Sequence, residues 1–394
     1  MKCNQLKKML KKLAIFSFCT LLFIPNFMLC SAAVNDEAVE VIATSCVLMD
    51  VDTGEVLFSN NEDELVYPAS ITKIMSLLIF MEYLDSGKLS LDEVVTTSPN
   101  AASKGGSQIW LEEGEQMTVD ELLRAICIAS ANDACTALGE HVAGSEAAFV
   151  QMLNEKAAEL GMVNTTFENC TGLDDETTNH LTTAYDVALM SCELLSHERI
   201  QTYSTVWMDT LRDGATELVN TNTLVRFYEG TTGLKTGTTE KAGYCVSASA
   251  ERDGLHLVAV VMGAENSTDR FEYAKDMLDW GFTNFQTYTP SFDSSLITQV
   301  KVNNGLEQYI TPEIETISAV TLEKGQASQI ETVIELSTDI DAPVEKNQVV
   351  GTVTFKLGDE QISQYNLVCT VAVQKTGVFD MILFFFRSLS IRNL

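Results

Sequence analysis

Three short polar motifs occur in a fixed order along this chain, and they constrain its fold more than any other feature. S-x-x-K comes first at Ser70 and Lys73, S-x-N follows at Ser130-Ala131-Asn132, and K-T-G follows at Lys235-Thr236-Gly237. In the whole sequence S-x-x-K occurs once, S-x-N three times and K-T-G twice. No single motif is decisive, so order, spacing and local structure must identify the copies that act together.

The segment from Ser70 predicts a largely buried helix with the serine near its N-terminus. Its apolar residues recur at helical spacing, namely Ile71, Ile74, Met75, Leu78 and Ile79. On one helix face, the Cβ atoms of Ser70 and Lys73 lie about 5–6 Å apart. A lysine three residues after a serine usually faces solvent, but a charged Lys73 among apolar neighbours would be costly to bury. A buried lysine with a lowered pKa can take the proton of a serine nucleophile, and the pair predicts this chemistry.

The second motif has three copies, of which Ser130-Ala131-Asn132 is the functional candidate. It lies between two helical segments, 122–129 and 134–141. A loop between helices can present the serine hydroxyl and the asparagine amide to a cleft. Ser59-Asn60-Asn61 is predicted to be the polar end of a hairpin strand, and Ser98-Pro99-Asn100 is predicted to be a plain surface turn.

The third motif has two copies, of which Lys235-Thr236-Gly237 lies in an extended segment before a predicted hairpin. Gly237 would let a substrate backbone approach closely. The Lys235 charge and the Thr236 hydroxyl can hold a carboxylate. The second copy, Lys375-Thr376-Gly377, is predicted to be a linker outside the catalytic unit.

Periodicity predicts an α+β domain over residues 38–284. A hairpin near residues 45–58 precedes a helical region to about residue 196, in which Thr118-Val119-Asp120-Glu121 is a capping box that opens a helix. Strands follow from about residue 233, and Arg252-Asp253-Gly254 is a hairpin turn between two of them. Beyond Phe285 helical periodicity ends. A turn at Leu357-Gly358-Asp359 and alternating apolar residues, among them Leu367, Cys369, Val371 and Val373, predict a small all-β domain at 286–376. We expect this second domain to support or position the first, since it contains no cluster with chemical function.

Both ends of the chain suggest export and a membrane. Five lysines, an apolar run from Leu13 to Leu29 and Ser31-Ala32-Ala33 predict a signal peptide at residues 1–33. An uncleaved transmembrane anchor and a lipoprotein site at Cys30 are the alternatives. The apolar tail at 378–394 is too short to span a bilayer and predicts an amphipathic helix at the membrane interface. Its alternative is a helix docked on the protein's own core.

Composition excludes several classes of function. A net charge of −30 argues against nucleic acid as a partner. The cysteines form no C-x-x-C or Cys/His pattern, so neither a metal site nor a disulfide framework is indicated, and no cofactor is expected. The four histidines lie outside any nucleophile motif and no G-x-S-x-G occurs, which makes a Ser-His-Asp hydrolase unfavourable.

The motifs with their flanking residues resemble a known family. The segments that carry the resemblance are Pro68-Ala69-Ser70-Ile71-Thr72-Lys73, Ser130-Ala131-Asn132-Asp133-Ala134, His180-Leu181-Thr182-Thr183-Ala184-Tyr185-Asp186, Gly233-Leu234-Lys235-Thr236-Gly237-Thr238-Thr239 and Ala242-Gly243-Tyr244. The chain is similar, over nearly its full mature length, to the low-molecular-mass penicillin-binding proteins that are serine-type D-Ala-D-Ala carboxypeptidases. The resemblance implies a β-lactamase/transpeptidase-like catalytic domain, then a small all-β domain and a C-terminal amphipathic helix.

The resemblance also implies a reaction and a role for each motif residue. Peptidoglycan pentapeptide stems would be the substrate, β-lactams would be acylating inhibitors, and the outer face of the cytoplasmic membrane or the cell wall would be the location. The implied catalytic residues are the nucleophile Ser70, the base Lys73 and the proton relay Ser130. The implied substrate-binding residues are Asn132 for the amide, Lys235 and Thr236 for the carboxylate, Gly237, and Thr238, whose backbone N–H joins that of Ser70 in an oxyanion hole. No chemical step is assigned to His180.

Three other functions remain open. A class A-like β-lactamase shares the motifs but needs a deacylating glutamate in E-x-x-L-N, which does not occur between Asp133 and Leu234. Glu168 lies in the turn-rich region, but the residues after it do not fit. A DD-endopeptidase or transpeptidase differs only in its substrate or acceptor, and a non-catalytic penicillin-binding sensor would keep the fold.

Overall fold

A five-stranded antiparallel sheet is the centre of the first part of the protein. The computed structural model describes residues 39–175 and 177–377. The described α-helices are α1 (Lys73–Asp85), α2 (Pro99–Ala102), α3 (Val119–Ala129), α4 (Asn132–Ala143), α5 (Glu146–Glu159), α6 (Ala184–Leu195), α7 (Gln201–Ser204), α8 (Leu224–Phe227) and α9 (Ser267–Asn284). Single-turn 3₁₀ segments lie at Ala69–Thr72, Glu198–Ile200, Arg212–Gly214, Ser294–Leu296 and Ala327–Gln329.

The strands fall into two groups along the chain. Those before α9 are β1 (Ser45–Asp50), β2 (Val56–Asn60), β3 (Val94–Thr96), β4 (Gln116–Thr118), β5 (Met208–Leu211), β6 (Thr216–Val219), β7 (Thr231–Thr239), β8 (Gly243–Arg252) and β9 (Leu255–Ala264). Those after α9 are β10 (Phe285–Tyr288), β11 (Val300–Asn303), β12 (Tyr309–Ile310), β13 (Glu313–Ile314), β14 (Val320–Glu323), β15 (Ile330–Leu336), β16 (Asp339–Asp341), β17 (Val349–Leu357) and β18 (Glu360–Val368).

The central sheet has the strand order β2-β1-β9-β8-β7. Its outer strand β7 carries the K-T-G motif, and Lys235 pairs with Ser247 on β8. The strands on both sides of the turn at Asp253 form the predicted hairpin, which pairs Arg252 with Leu255. Since β7 is the last strand in this order, no further strand of the sheet pairs with its outer side.

The sheet separates two apolar cores, which gives the first part three layers. One core contains α1, α3, α4, α5 and α6 together with the side chains on one face of the sheet. The stacked rings of Phe80 and Phe149 join α1 to α5, with centroids 5.1 Å apart. The other core lies between the opposite face of the sheet and α9. This arrangement of helices around an antiparallel sheet confirms the predicted α+β class.

Two local sequence signals produced the expected structure. Thr118 and Glu121 form a capping box at the start of α3, and each side chain bonds the backbone of the other. The helix that carries Lys73 is almost entirely apolar and buried over residues 73–81. One expectation was wrong: Ser98-Pro99-Asn100 is no plain turn, because Ser98 caps the short helix α2 through the Ala101 amide.

The chain after α9 is built of short strands. A four-stranded antiparallel sheet has the order β13-β18-β17-β15, and a three-stranded sheet has the order β12-β11-β16. The turn at Gly358 joins β17 to β18 as expected. Val371 is half exposed, which breaks the predicted alternation of apolar residues that Leu367 and Cys369 follow.

The two parts meet at the tip of the β1–β2 hairpin. Asp50 is buried, and its carboxylate accepts a 2.6 Å hydrogen bond from Thr321 on β14. The same Thr321 hydroxyl lies 3.0 Å from the hydroxyl of Thr53. These contacts hold the β-rich part against the end of the sheet.

The predicted signal peptide, residues 1–33, and the predicted tail helix, residues 378–394, lie outside the described residues. Among the residues that are described, no helix combines the length and the apolar character needed to cross a membrane. The proposed boundaries of the two domains stay predictions.

Candidate active site

The S-x-x-K pair forms a direct contact at the start of α1. Ser70 lies in the 3₁₀ turn that precedes the helix, and Lys73 is its first α-helical residue. The Nζ atom of Lys73 lies 2.9 Å from the Oγ atom of Ser70 and donates a second hydrogen bond of 2.8 Å to the carbonyl oxygen of Thr171. The serine hydroxyl therefore has a nitrogen base within proton-transfer distance.

Lys73 is fully buried, and burial lowers the pKa of its amine from 10.5 to about 8. Asp133 and two buried cysteines oppose this shift only in part. In the described ranges no carboxylate lies within ion-pair distance of Lys73 or Lys235. About a tenth of the Lys73 amine is therefore neutral at pH 7, and this neutral form is the one that a lysine base requires.

Ser130 and Asn132 lie where α3 gives way to α4. Ser130 adopts a left-handed backbone conformation, with φ 61°, and Asn132 is the first residue of α4. Both side chains are buried. The Ser130 Oγ atom and the Asn132 Oδ1 atom have no hydrogen-bond partner within the described part of the chain. An unsatisfied buried donor and acceptor are suited to receive a ligand.

Residues 105–111 are fixed to the same turn. The side-chain Nδ2 atom of Asn132 donates to the carbonyl oxygen of Gly105 at 2.7 Å. The carboxylate of the next residue, Asp133, accepts hydrogen bonds from the amides of Ile109 and Leu111. Asn132 can therefore keep its orientation while its oxygen remains unpaired.

Lys235 and Thr236 provide the positive and hydroxyl side of the site. Lys235 is 1 % exposed, and its amine makes one hydrogen bond of 3.2 Å, to the carbonyl oxygen of Thr236. Burial and the positive charge of Lys73 lower the pKa of Lys235 well below 10.5. A bound carboxylate would reverse this effect by supplying the missing counter-charge.

Thr221 joins this group, although no sequence motif points to it. The Thr236 hydroxyl donates to the Thr221 hydroxyl at 2.7 Å. The Thr221 amide donates to the carbonyl of Ile128, near the end of α3. These two bonds connect the K-T-G strand to the helix that ends at Ser130.

Gly237 and Thr238 lie where strand β7 packs against residues 68–72. This segment contains the candidate nucleophile Ser70 and is called the nucleophile turn. A Cβ atom on Gly237 would lie 2.9 Å from the Pro68 carbonyl oxygen and 3.1 Å from the Ala69 Cβ. The glycine is thus required by the protein's own packing, a reason that the motif alone does not reveal. Arg270 on α9 supports the strand through the Gly237 carbonyl at 3.1 Å and the Thr238 hydroxyl at 2.9 Å.

The turn-rich stretch before α6 lies directly against the nucleophile turn. Gly172 has φ +87°, and a Cβ atom there would be 1.7 Å from the Ala69 carbonyl oxygen. Thr171 is the residue whose carbonyl accepts from Lys73. The side chain of Thr239 and that of Lys241 both donate to Asp174, which connects this stretch to the end of β7.

The Glu168 carboxylate is hydrogen-bonded within the turn-rich stretch. Its Oε2 atom accepts hydrogen bonds from the amides of Thr178 and Asn179 at 2.9 and 3.2 Å. Its own backbone amide donates to the Nδ1 atom of His180 at 3.1 Å. The carboxylate is therefore engaged in holding its own loop.

Among the described residues one group outside this site, Glu82, Glu193 and His197, has the spacing to hold a metal ion. The amine of Lys156 already lies 2.8 Å from the Glu82 carboxylate. We assign no ion to this surface group.

Comparisons with known proteins agree with this geometry. Residues 31–266 match the family described as D-alanyl-D-alanine carboxypeptidase, and residues 285–375 match the C-terminal domain of penicillin-binding protein 5. The D-alanyl-D-alanine carboxypeptidase DacF of Bacillus subtilis is 41% identical over 339 residues, covering 85% of this chain and 87% of that protein.

Solved structures show the same likeness. Penicillin-binding protein 5 from Haemophilus influenzae has a TM-score of 0.77 and 30% identity, and the match covers 85% of this chain and 98% of that one. Penicillin-binding protein D2 from Listeria monocytogenes, in an ampicillin-bound form, has a TM-score of 0.57 and 31% identity. That match covers 62% of this chain and 99% of the other.

Proposed function

The chain belongs to the D-alanyl-D-alanine carboxypeptidase family and is a serine-type DD-carboxypeptidase, and we propose that Ser70 is the nucleophile that removes the terminal D-alanine from peptidoglycan stems. One observation carries the assignment: a buried lysine amine lies 2.9 Å from the Ser70 hydroxyl. The S-x-x-K motif occurs once in the sequence, so no second pair competes for this role.

Acylation begins with proton transfer from Ser70 to the neutral amine of Lys73. The Ser70 oxygen forms a bond to the carbonyl carbon of the penultimate D-alanine, and the carbonyl π electrons move to oxygen. The backbone N–H groups of Ser70 and Thr238 stabilise this oxyanion, each donor contributing on the order of 3 kcal/mol. The arrangement needs no histidine in the proton path.

Collapse of the tetrahedral intermediate breaks the peptide bond and expels D-alanine. Its nitrogen must gain a proton as it leaves, and we assign the delivery of this proton to Ser130. The Ser130 hydroxyl is buried and lacks a partner among the described residues, so it is available to pass on the proton that Lys73 took. Water then hydrolyses the ester on Ser70 and releases the shortened stem.

The remaining site residues hold the substrate. The unpaired Oδ1 of Asn132 accepts from a substrate amide. The amine of Lys235 and the hydroxyl of Thr236 bind the terminal carboxylate. Thr236 then turns its one hydroxyl proton from Thr221 to the carboxylate, and the Thr221 hydroxyl can donate to the Thr236 oxygen in return. A free carboxylate at the substrate end is therefore part of what the site recognises, as in a carboxypeptidase.

β-Lactams use the same site. Their ring carbonyl replaces the scissile peptide and acylates Ser70, and their carboxylate occupies the same position beside Lys235. The structure of D2 with ampicillin supports this proposal, because the match spans nearly all of that protein.

The reaction is tested with the purified protein and two muropeptides, a monomer with a pentapeptide stem and a cross-linked dimer. We expect free D-alanine from the monomer, none after Ser70→Ala, and a large loss after Ser130→Ala. Ser59→Ala, in a copy of S-x-N on an exposed strand end, is the matched control and should keep full activity. Cleavage of the dimer without release of D-alanine would identify an endopeptidase. Activity in Ser70→Ala would overturn the mechanism.

We propose that the protein is exported and held at the outer face of the cytoplasmic membrane. Residues 1–33 have the charged start, apolar run and small residues of a signal peptide. Residues 378–394 include three consecutive phenylalanines and two arginines, a composition suited to a membrane interface. Deletion of 378–394 should move the mature protein from the membrane to the soluble fraction. Unchanged membrane association after that deletion would contradict the role of the tail.

A further inference from the structure

We propose that His180 is a positioning residue that sets the backbone of the nucleophile turn through the hydroxyl of Thr72. The inference rests on the proposed function of Ser70 and adds a residue that takes no part in the proton path. His180 is fully buried, and its two ring nitrogens face different partners. One nitrogen contacts the turn-rich stretch, and the other contacts the residue that precedes Lys73.

The hydrogen bonds fix the direction of every proton in this chain of contacts. The Glu168 amide can only donate, so the Nδ1 atom of His180, 3.1 Å away, must accept. The imidazole proton is then on Nε2, which lies 2.8 Å from the Thr72 Oγ1 atom. The Thr72 hydroxyl directs its own proton to the carbonyl of Ala69 at 2.8 Å. The chain of contacts ends on the residue next to the nucleophile.

The Ala69 carbonyl is a point where the turn needs support. Ala69 has φ 48°, in the left-handed region that residues with a side chain rarely adopt. Rotation of the Ala69–Ser70 peptide would move the Ser70 hydroxyl relative to the amine of Lys73. The Thr72 hydroxyl opposes this rotation by holding the carbonyl oxygen, and Gly172 closes the other side.

The ring must be neutral to act in this way. Burial lowers the pKa of His180 from 6.5 to about 4, although the carboxylates of Glu168 and Asp174 favour its protonation. A proton on Nδ1 would face the donor N–H of Glu168. The neutral ring therefore connects the turn-rich stretch to the nucleophile turn at physiological pH.

The protein contains a matched pair away from the nucleophile. His256 is also buried, and its Nε2 atom lies 2.8 Å from the hydroxyl of Thr232. Thr232 is five residues before Gly237 on β7, about 16 Å along the strand. If the loss of any buried histidine–threonine hydrogen bond slows acylation, substitutions at both pairs should lower the acylation rate. If His180 positions the nucleophile turn, only substitutions at Thr72 and His180 should lower it.

The test measures acylation of the purified full chain by a fluorescent penicillin, with the binding constant and the limiting rate resolved by stopped flow. We expect Thr72→Val to lower the limiting rate at least tenfold with little change in binding, and Thr72→Ser to keep it. His180→Ala should lower the rate similarly, His180→Gln should restore part of it, and the Thr72→Val, His180→Ala double variant should be no slower than the slower single variant. Thr232→Val should lower the melting temperature without lowering the limiting rate.

Three results would overturn the inference. These are an unchanged limiting rate in Thr72→Val, an equal loss in Thr72→Ser, and an equal loss in Thr232→Val. Ser70→Ala separates this inference from the proposed function. If Ser70→Ala is still acylated, the proposed function fails, and if it is not acylated but Thr72→Val reacts normally, only the role of His180 fails.

Discussion

The ε-amino nitrogen of Lys73 donates a 2.8 Å hydrogen bond to the carbonyl oxygen of Thr171, in the stretch where a class A β-lactamase would need a catalytic carboxylate. A backbone carbonyl cannot take a proton from water as a glutamate can. The nearby Glu168 carboxylate is bonded to two amides of its own loop. Among the residues that the structure describes, no carboxylate therefore lies beside Lys73 as a separate base for deacylation, and we expect the Lys73 amine itself to activate the water.

The first prediction is a long-lived penicilloyl enzyme. After labelling with a fluorescent penicillin and removal of excess reagent, the label should persist for many times the half-time of acylation. The leaving group of an opened β-lactam ring stays attached and obstructs water, whereas D-alanine departs, and Thr171 offers no additional general base to overcome this. The measurement is the decay of protein-bound fluorescence over hours. Rapid turnover of penicillin, with recovery of free enzyme within seconds, would instead support a β-lactamase.

The second prediction concerns pH. Only the neutral amine of Lys73 can accept the Ser70 proton, and the pKa of this amine is about 8. The acylation rate should therefore rise about tenfold between pH 7 and pH 9, in proportion to the neutral fraction. Lys73→Arg should abolish most of the activity at every pH, because a guanidinium stays protonated.

Lys235→Arg is the control for this profile. It keeps a fixed positive charge beside the substrate carboxylate over the whole range, so the rise with pH should persist even if binding is weaker. A wild-type rate that is flat from pH 6 to pH 9 would count against Lys73 as the base.

The third prediction compares two glycines with left-handed backbones. Gly172→Ala should nearly abolish acylation, because the new Cβ would lie 1.7 Å from the Ala69 carbonyl oxygen and must displace the nucleophile turn. Gly161 has φ +74°, and a Cβ atom there would have no neighbour within 4 Å, so Gly161→Ala should cost only about 1–2 kcal/mol of stability. Rates and melting temperatures of both variants check this, and equal acylation rates would refute it.

The fourth prediction is a loss of stability in mild acid. The folded pKa of His180 is about 4 and its ordinary value is 6.5, so the unfolded chain binds more protons between these values. Stability is fully present above pH 6.5 and falls as the pH decreases toward 4, by up to about 1.4 kcal/mol per unit from this group. Denaturant unfolding at several pH values should show a smaller slope for His180→Gln than for wild type. Equal slopes would show that the ring does not change its protonation on unfolding.

Local sequence signals predicted much of the fold, because they depend on neighbours in the chain. The capping box of Thr118 and Glu121 and the hairpin turn at Asp253 are of this kind. The contact between Ser70 and Lys73 also follows from helical spacing. These features require no knowledge of distant segments.

The supporting contacts could not be predicted in this way. Thr171 acts through its backbone carbonyl, which any residue supplies, and it is 98 residues from Lys73 in sequence. Arg270 reaches strand β7 from a helix that carries no motif. The need for glycine at position 237 comes from the packing of Pro68 and Ala69 against it, which is a tertiary contact.

The most direct test of Ser70 as the nucleophile is the position of the covalent bond. The purified protein is acylated with benzylpenicillin, digested, and analysed by peptide mass spectrometry beside Ser70→Ala and Ser59→Ala. We predict that the penicilloyl mass is found on the peptide that contains Ser70 in wild type and Ser59→Ala, and is absent from Ser70→Ala. A penicilloyl group on another serine, or on Ser70→Ala, would show that Ser70 is not the nucleophile.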